Sequence, residues 1–401
     1  MATAPVLVAR QPICDRERRV EGYELLFRAH DRERALVTDP DRASAHVLVT
    51  SFADIGARAL VGGRPAWINV TRRFLLEVHP LPIGPHGIVL ELLEDEIVDD
   101  KLHDRLVELV QAGYTLALDD FRLTPATERL LGLASIVKID VRAEGVAGAA
   151  RQLAELDGFR GRLLAEKVED EEEFARCLEL GFDLFQGWFF CRPQLVEGRT
   201  PSSSALEAIR SAATLLSPDL SFDELERIVS RDPGLAVRLL RLLNSAAFPT
   251  VRRIATIREA LVMLGERTVR RWAMLIIVAG LPASCDELVP TAMIRARLLE
   301  RLAAERSDAP DGAFAVGLFS IVDALLGCPL ATVLEDLPLA GEHVAALLRH
   351  EGPNGQALRA AIAHERGEDW TAVGLDAERF GSAYVEAVEW AMATVPGLAD
   401  G

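Results

Sequence analysis

Acidic, amide and lysine side chains recur at the ends of short apolar runs in the first half of the chain. Six successive runs each carry apolar residues and then stop at such a side chain. The polar residues at these ends are Asn69, Glu91, Glu94, Asp119, Asp120, Lys138, Glu166 and Gln186. A single Asp or Glu at a strand end is most often a helix N-cap or a solvated loop residue. Six such ends in succession favour one shared site.

The chemistry of such a site follows from its ligand types. Several carboxylates cannot stay ionised side by side unless cations neutralise them. Oxygen ligands without Cys or His favour Mg²⁺ or Mn²⁺ over zinc. The doubled acid Asp119–Asp120 has the form of a bridge between two metal ions, and paired metals suit in-line attack of water on a phosphodiester. The residues thus indicate metal-assisted hydrolysis of a phosphodiester.

The elements that must position these residues are short strands separated by helical stretches. The runs begin roughly 20 to 27 residues apart, which is typical of strand–helix units in a parallel sheet. In a (β/α) barrel the C-terminal strand ends carry the chemistry, so the polar ends would converge at one mouth. Periodicity alone leaves a barrel and an open doubly wound sheet as alternatives. The predicted strands span residues 22–28, 65–70, 87–94, 114–121, 135–140, 162–169 and 182–190, and a predicted helix spans 41–56.

The sequence changes character near residue 200. A stretch rich in Pro, Gly, Ser and Thr at residues 191–204 is typical of a linker. Beyond it the pattern is helical throughout, and Ser221 followed by Glu224 has the form of a capping box. We therefore predict two domains, an α/β domain at residues 1–198 and an all-helical domain at residues 199–401.

The charge balance restricts the class of partner. The 401 residues include 44 Lys and Arg against 61 Asp and Glu, a net charge of −17. Such a field repels polyanions, so we expect no binding to DNA or RNA. The longest apolar run, Trp272 to Leu281, has about half of the ~20 residues that a membrane span needs. The N-terminus has no secretion-signal pattern, and the five scattered cysteines have no ligand or disulfide spacing. We therefore expect a cytoplasmic protein without a membrane partner.

Seven strings of the first half carry a family resemblance. They are ELLFR, WINVT, ELLE, LDDF, VKID, AEKVE and FQGWFFCRP, in this order. Together they resemble the EAL domain, a family whose members hydrolyse the bacterial messenger cyclic di-GMP to a linear dinucleotide. The match covers roughly residues 5–200, with Leu25 where the signature usually has alanine. The resemblance implies a TIM-like (β/α) barrel.

The resemblance also implies a role for each matched residue. The residues that would hold two Mg²⁺ or Mn²⁺ ions are Glu24, Asn69, Glu91, Asp119 and Asp120. The catalytic residues would be Glu166, as ligand or general base, and Lys138, beside the attacking water. Contacts to the dinucleotide would come from Arg28, Leu26 and Gln186. Glu94 and Glu169 would support the loop after the aspartate pair, with plain solvated carboxylates as the alternative.

One segment departs from the family pattern. Active members have a glycine-rich loop of small residues after the aspartate pair, whereas residues 120–128 read DFRLTPATE, with Arg122 in place of glycine. Arginine cannot take a glycine-only backbone conformation without strain. In the family this loop orders the second metal aspartate and helps to form the dimer. The change therefore leaves both turnover and a homodimer as open questions.

The helical half contains strings that resemble the HDOD domain, a relative of HD-type metal phosphohydrolases. They are DPGLAVRLLRLLNSAAF, IATIREALVMLG and AFAVGLFSIVDALLG. Ser320 and Ile321 stand where the hydrolases have their His–Asp pair, so we expect no metal chemistry here. Asn244 and Ser245 are expected to pack and to cap a helix. The fusion resembles the YuxH-type EAL–HDOD signalling proteins.

Three functions fit this sequence. The first is a metal-dependent cyclic-di-GMP phosphodiesterase whose HDOD half regulates or relays through an unknown protein partner. The second is a non-catalytic receptor for cyclic di-GMP, which the altered loop favours. The third is an interaction scaffold, against which the crowding of like charges at one mouth argues. The complete set of ligand residues favours the enzyme.

Overall fold

The computed structural model describes most of the chain. The described residues are 6–29, 57–94, 96–143, 145–187, 202–217, 219–244, 253–306, 310–335 and 337–399. They fall into two compact units, Met1–Phe190 and Cys191–Gly401. The predicted domain boundary after residue 198 and the predicted helix at 41–56 lie outside the described residues and stay predictions.

The first unit is a closed barrel of eight strands that follow one another in chain order. The strands are β1 (Val6–Asp15), β2 (Val20–Ala29), β3 (Ala66–Val70), β4 (Ile88–Leu92), β5 (Thr115–Leu118), β6 (Ile136–Asp140), β7 (Arg162–Glu166) and β8 (Leu184–Gln186). From β2 to β8 each strand pairs in parallel with the next. The barrel prediction is confirmed, and the seven predicted strands correspond to β2 through β8.

The strand β1 is not predicted by the sequence patterns, and it changes the topology. It runs antiparallel to both β2 and β8. Only four residues separate β1 from β2, and such a short connection joins antiparallel strands but not parallel ones. Its buried Arg10 donates to the Leu60 carbonyl over 3.2 Å and lies 4.1 Å from the centre of the Tyr23 ring. This barrel is therefore parallel except at its first strand.

Helices connect the parallel strands on the outside of the sheet. Within the described residues of this unit they are α1 (Ala57–Val61), α2 (Arg72–Glu77), α3 (Asp100–Gln111), α4 (Pro125–Leu131), α5 (Gly145–Glu155) and α6 (Glu171–Glu179). Four of them begin at side-chain N-caps, which are Thr71, Asp99, Thr124 and Asp170. Such caps satisfy free N–H groups in the first helical turn. They fix the turns that follow the C-terminal ends of the strands.

One layer of apolar side chains fills the barrel below its mouth. Its members are Ile13, Trp67, Val89, Ala117, Ile136, Leu164 and Leu184. Gly22 lies beside this layer, where an added Cβ would come within 2.8 Å of Trp67 Nε1 and of the Pro65 carbonyl oxygen. A side chain at this position of β2 would therefore displace Trp67 from the core.

The second unit is helical. Its described helices are α7 (Ser203–Thr214), α8 (Phe222–Arg231), α9 (Pro233–Leu243), α10 (Ile257–Leu264), α11 (Glu266–Ala279), α12 (Leu288–Glu305), α13 (Pro310–Phe319), α14 (Val322–Leu326), α15 (Leu330–Leu334), α16 (Gly341–Arg349), α17 (Gly352–Glu365) and α18 (Ala377–Ala399). The capping box of Ser221 and Glu224 is confirmed at the start of α8. Among the described residues, no helix combines the length and apolar character that crossing a bilayer requires.

Candidate active site

The strand period places the polar residues directly above the apolar layer. Side chains two residues apart on a strand point to the same face. Six polar residues of the mouth each lie two positions after a core residue: Asn69 follows Trp67, and Glu91 follows Val89. The same step leads to Asp119, Lys138, Glu166 and Gln186 from Ala117, Ile136, Leu164 and Leu184. The structure therefore brings these predicted site residues together inside one mouth.

Lys138 lies at the centre of this group. Its side chain is fully buried, and its Nζ lies 2.8 Å from Glu91 Oε1, 2.8 Å from Asp119 Oδ1 and 2.8 Å from Glu166 Oε1. Glu24 Oε2, from β2, lies 3.7 Å away. One ammonium group thus faces four carboxylates, and the group as a whole has an excess of acidic side chains.

Burial and crowding change the pKa values of these groups. Burial disfavours the ammonium of Lys138, but Glu24, Glu91 and the other carboxylates outweigh it and hold the pKa of Lys138 well above its usual range. Burial and then the charge of Glu24 raise the pKa of Glu91 well above its ordinary value. Burial also raises the pKa of Glu166 to about 8, against the opposing effect of Lys138. Without a further cation, the site therefore holds protons that ordinary carboxylates would lose.

Glu24 differs from Glu91 and Glu166 because its surroundings lower its pKa. Burial opposes its ionisation, but Lys138 and the amides of Gln186 and Asn69 lower the pKa of Glu24 below its usual value. Asn69 Nδ2 donates to Glu24 Oε1 over 2.7 Å, and Gln186 Nε2 donates to Glu24 Oε2 over 2.6 Å. Gln186 Nε2 also lies 2.8 Å from Gln11 Oε1 on β1. Glu24 is therefore held as an oriented carboxylate.

The oxygen atoms at the mouth fit a hard divalent cation. Asn69 Oδ1 and Asp120 Oδ1 are buried and accept no hydrogen bond from the described residues. Among the described residues, no group of three or more His, Cys, Asp or Glu side chains is arranged so that it could hold a metal ion. The carboxylates gather around Lys138 Nζ instead. The donor set is nevertheless all oxygen and carries excess negative charge, which suits Mg²⁺ or Mn²⁺.

The loop after the aspartate pair borders a cavity beside this group. The cavity has a volume of about 190 Å³, and its lining residues are Glu94, Asp120, Phe121, Arg122, Asp140, Ala143 and Gln152. Asp120 has a left-handed φ of 39°, whereas Arg122 is not among the described non-glycine residues with positive φ. The arginine therefore avoids the glycine-only conformation that its position suggested. Glu94 is exposed and lies on the same cavity as this loop.

Three further predicted residues lie at the edge of the group. Arg28 is in β2 opposite Leu7, and its side chain lies outside the described part of the structure. Leu26 is half-buried on the same strand. Glu169 Oε1 accepts a hydrogen bond from Arg142 Nη1 over 2.5 Å. The predicted roles of all three residues stay predictions.

In the helical unit, the positions that correspond to the hydrolase His–Asp pair have other partners. Ser320 Oγ donates to the Gly317 carbonyl over 2.7 Å and accepts from Arg295 Nη1 over 3.1 Å, while Ile321 is buried. Asn244 follows the end of α9 and bonds to Ile254 through both its amide nitrogen and its oxygen, over 2.8 and 2.7 Å. Asn244 thus packs and caps as expected, and Ser245 lies outside the described residues.

Sequence reasoning missed several residues of the site. Gln11 lies on β1, which the patterns did not identify, although Gln11 and the core residue Ile13 share the period of two. Lys167 Nζ lies 2.5 Å from Asp140 Oδ2, at the ends of β7 and β6. Lys167 belongs to the string AEKVE and Asp140 to the string VKID. Both residues would have been found by considering every charged residue at or directly after the end of a strand.

Comparison with known proteins agrees with this geometry. The EAL domain model matches residues 69–193 and the HDOD domain model matches residues 205–325. Cyclic di-GMP phosphodiesterase CdgJ of Vibrio cholerae is 34% identical over 398 residues, which are 96% of this chain and 91% of the relative. The uncharacterized protein YuxH of Bacillus subtilis is 32% identical over 400 residues, 96% of this chain and 98% of the relative.

Several solved structures resemble just under half of this chain. The manganese and cyclic-di-GMP complex of Klebsiella pneumoniae BlrP1 is 23% identical, with a TM-score of 0.40, over 47% of this chain and 56% of that one. The assignment therefore depends on the two relatives, which match almost the whole chain at more than 30% identity. The chain belongs to the EAL–HDOD family that includes CdgJ and YuxH.

Proposed function

We propose that the barrel hydrolyses cyclic di-GMP to linear pGpG in a reaction that needs divalent cations, Mg²⁺ or Mn²⁺. The observation that carries this proposal is the buried group of four carboxylates that the single ammonium of Lys138 neutralises only in part. A site of this charge favours cations, and cations favour a phosphate substrate. The relative named as a cyclic di-GMP phosphodiesterase supports the choice of substrate.

Five residues would hold the cations. They are Glu24, Asn69, Glu91, Asp119 and Asp120, whose oxygens line the mouth or lie next to it. When bound, two divalent cations would polarise the phosphodiester and lower the pKa of an attacking water. Gln186 and Asn69 would keep Glu24 oriented through the hydrogen bonds that they donate to its two oxygens.

The remaining residues would act on the proton and on the substrate. Glu166 would accept the proton of the attacking water at its carboxylate, as a general base. Lys138 Nζ, 2.8 Å from Glu166 Oε1, would stabilise the negative charge that develops on the phosphate. Arg28, Leu26 and Gln186 would contact the dinucleotide, and Glu94 and Glu169 would support the loop.

The helical half would regulate the barrel or relay its state to a protein partner. The half-buried Ser320 and the buried Ile321 supply no metal ligands at the positions of the hydrolase pair, which supports a role without chemistry. The net charge of −17 supports a small phosphate ligand rather than a nucleic-acid polymer. We further propose a cytoplasmic location.

A turnover assay on the purified full chain tests the proposal. Cyclic di-GMP is incubated with Mn²⁺ or Mg²⁺, and linear product is measured by chromatography. Glu24→Gln keeps the shape of the side chain but removes the charge at the centre of the site, so we expect product formation to fall at least about 100-fold. Glu21→Gln is the matched control, because Glu21 lies on the same strand but is exposed and pairs with Arg162. Absence of product at high enzyme and Mn²⁺ concentrations would overturn the proposal.

A second candidate is a receptor that binds cyclic di-GMP without hydrolysis. The loop DFRLTPATE favours it, because this loop borders Asp120 and lacks the small residues of active members. Calorimetry with cyclic di-GMP, run beside the turnover assay, separates the two functions. Tight binding without product would establish the receptor, and product that disappears in Glu24→Gln would establish the enzyme.

A further inference from the structure

Lys167 has an unusual backbone and position. It directly follows the site residue Glu166, and its φ of 59° lies in the left-handed region. Asp120, with a φ of 39°, is another non-glycine residue in that region. Such conformations are uncommon for residues other than glycine and persist where the surrounding structure enforces them. Two enforced conformations therefore occur on two residues whose side chains face each other.

The contacts of Lys167 explain where its charge is held. Its Nζ lies 2.5 Å from Asp140 Oδ2 and 3.7 Å from Asp120 Oδ2. Asp140 is itself fixed, because its Oδ1 accepts from the backbone N–H groups of Arg142 and Ala143 over 2.8 and 3.2 Å. The carboxylate of Asp140 thus holds the ammonium of Lys167 within ion-pairing distance of the carboxylate of Asp120.

The residue type matters as well as the position. Of the 44 basic residues in the chain, only three are lysines, namely Lys101, Lys138 and Lys167. Two of these three have Nζ within 4 Å of a carboxylate that we assign to cation binding. Lysine carries a compact charge that a carboxylate can exchange for a metal ion, whereas arginine forms a planar, bidentate pair.

We propose that Lys167 competes with a divalent cation for the carboxylate of Asp120 and so sets the affinity of the cation site that includes Asp120. The inference rests on the proposed binding of divalent cations. It concerns the affinity of the Asp120 carboxylate for such a cation. Asp120 Oδ1 is buried without a hydrogen-bond donor among the described residues, so this carboxylate has ligand capacity left. The ammonium near Oδ2 lowers the attraction of that carboxylate for a second positive charge. Asp140 keeps the ammonium in place and weakens the competition.

Direct titration with Mn²⁺ tests this without nucleotide. Free Mn²⁺ is followed by electron paramagnetic resonance, and heat by calorimetry, on the full chain. Lys167→Met should tighten the weaker Mn²⁺ site by about three- to tenfold, the size expected for a half-exposed charge at this range. Lys167→Arg keeps the positive charge beside Asp120 and should therefore tighten Mn²⁺ binding less than Lys167→Met does. The gain should shrink at high salt, because the ammonium is exposed enough to be screened.

Two controls make the result specific. Lys101→Met removes the same charge from an exposed position at the start of α3 and should leave both Mn²⁺ affinities unchanged. In an Asp120→Asn background, Lys167→Met should no longer tighten binding, because the shared carboxylate is gone. Thermal unfolding of each variant checks that the chain is folded, and Lys167→Gln replaces Lys167→Met if that variant is not.

The outcomes separate this inference from the proposed function. Unchanged or weaker Mn²⁺ binding in Lys167→Met, or the same gain with and without Asp120, would overturn the role of Lys167. If Mn²⁺ binding responds as expected but no pGpG forms, then only the proposed hydrolysis fails. A native chain that binds no Mn²⁺ would contradict both.

Discussion

Both halves of the molecule bury ionised side chains, but they balance the charge differently. In the barrel, four carboxylates surround the single ammonium of Lys138. In the helical unit, Arg295 pairs with Glu365 through Nε to Oε1 over 3.0 Å and Nη2 to Oε2 over 2.5 Å, and it also donates to Ser320. The side chains of Arg295 and Glu365 are both less than a tenth exposed. The barrel group has an excess of carboxylates, whereas the Arg295–Glu365 pair has matched charges.

This difference in charge balance helps to distinguish buried charges that form a functional site from buried charges that only stabilise the fold. A buried ion pair with matched charges and good geometry needs nothing further, so Arg295 and Glu365 hold α12 to α17. Unmatched buried carboxylates are costly without cations, and a chain retains such a group where a cation or substrate compensates it. Ser320 bonds to Arg295 at a position where the metal-dependent relatives hold a ligand. Charge balance, more than burial, marks the barrel as the chemical half.

The largest expected effect comes from removing the barrel ammonium. Lys138→Met leaves four buried carboxylates without their central cation, and we expect a loss of about 3 to 5 kcal/mol in the stability of the metal-free barrel. Mn²⁺ should restore much of this, because a ligand that binds only the folded state stabilises it. Thermal unfolding with and without Mn²⁺ measures both effects.

The control for this variant is Lys101→Met, an exposed lysine whose loss should change stability by less than about 0.5 kcal/mol. If Lys138→Met unfolds at the same temperature as the native chain, then the ammonium of Lys138 does not stabilise the carboxylates around it, and the barrel group is no more charge-crowded than the Arg295–Glu365 pair.

The matching change in the helical unit should behave differently. Arg295→Met strands Glu365 in the interior, and we expect a cost of about 3 to 5 kcal/mol. The double variant Arg295→Met/Glu365→Leu should recover most of that loss, since buried ion pairs are often replaced by apolar residues at little cost. Mn²⁺ should rescue neither variant. Denaturant unfolding checks the stability, and rescue by Mn²⁺ would place a cation site in the helical half.

Much of this contrast could be predicted from the sequence. Side chains two positions apart on a strand point to the same face of the sheet. Glu91, two positions after the core residue Val89, must therefore point into the barrel as Val89 does. The succession of polar strand ends predicted the mouth of the barrel, whereas the place of Glu24 and the metal-ligand roles came from the family resemblance, and those roles stay predictions. The capping box at Ser221 and Glu224 likewise predicted the start of α8, because its hydrogen bonds are local.

The features that escaped prediction depend on tertiary structure. The short connection to β2 accounts for the antiparallel direction of β1, but the position of β1 in the closed barrel depends on pairing with β8, which is more than 160 residues away in the chain. The left-handed backbones of Asp120 and Lys167 have no local signal, since neither residue is glycine. For Arg122 the sequence predicted a strained backbone, because arginine replaces a glycine of the family pattern. In the structure Arg122 is not among the described residues with positive φ, so the loop avoids that strain.

A smaller effect of opposite sign is expected at Glu91. Burial raises the pKa of Glu91, which means that its ionised form opposes folding. Glu91→Gln removes one of the crowded carboxylates, so the metal-free barrel should gain about 1 to 2 kcal/mol. The same variant loses a proposed ligand, so the stabilisation by Mn²⁺ should shrink. A stabilised chain with an unchanged Mn²⁺ response would exclude Glu91 from the cation site.

The last expected effect is a difference in pH dependence between the halves. In the metal-free barrel the pKa of Glu166 is raised to about 8 by burial, from an ordinary value near 4.5. The folded barrel therefore binds more protons than the unfolded chain between these values, and its stability should rise as the pH falls from 8 towards 5. Burial lowers the pKa of His343 and His350, so their contribution is present above pH 6.5 and is lost below it.

In the helical unit a third group reduces the net response. Burial raises the pKa of Asp323, which opposes the effect of the two histidines, so this half should show the weaker dependence. Hydrogen exchange of the full chain, corrected for the intrinsic effect of pH, reports both units in one sample. Protection of β4 to β7 should increase on acidification from pH 8 to 6, and Glu166→Gln should flatten that increase. Parallel responses in the two halves would mean that the barrel is no more charge-crowded than its neighbour.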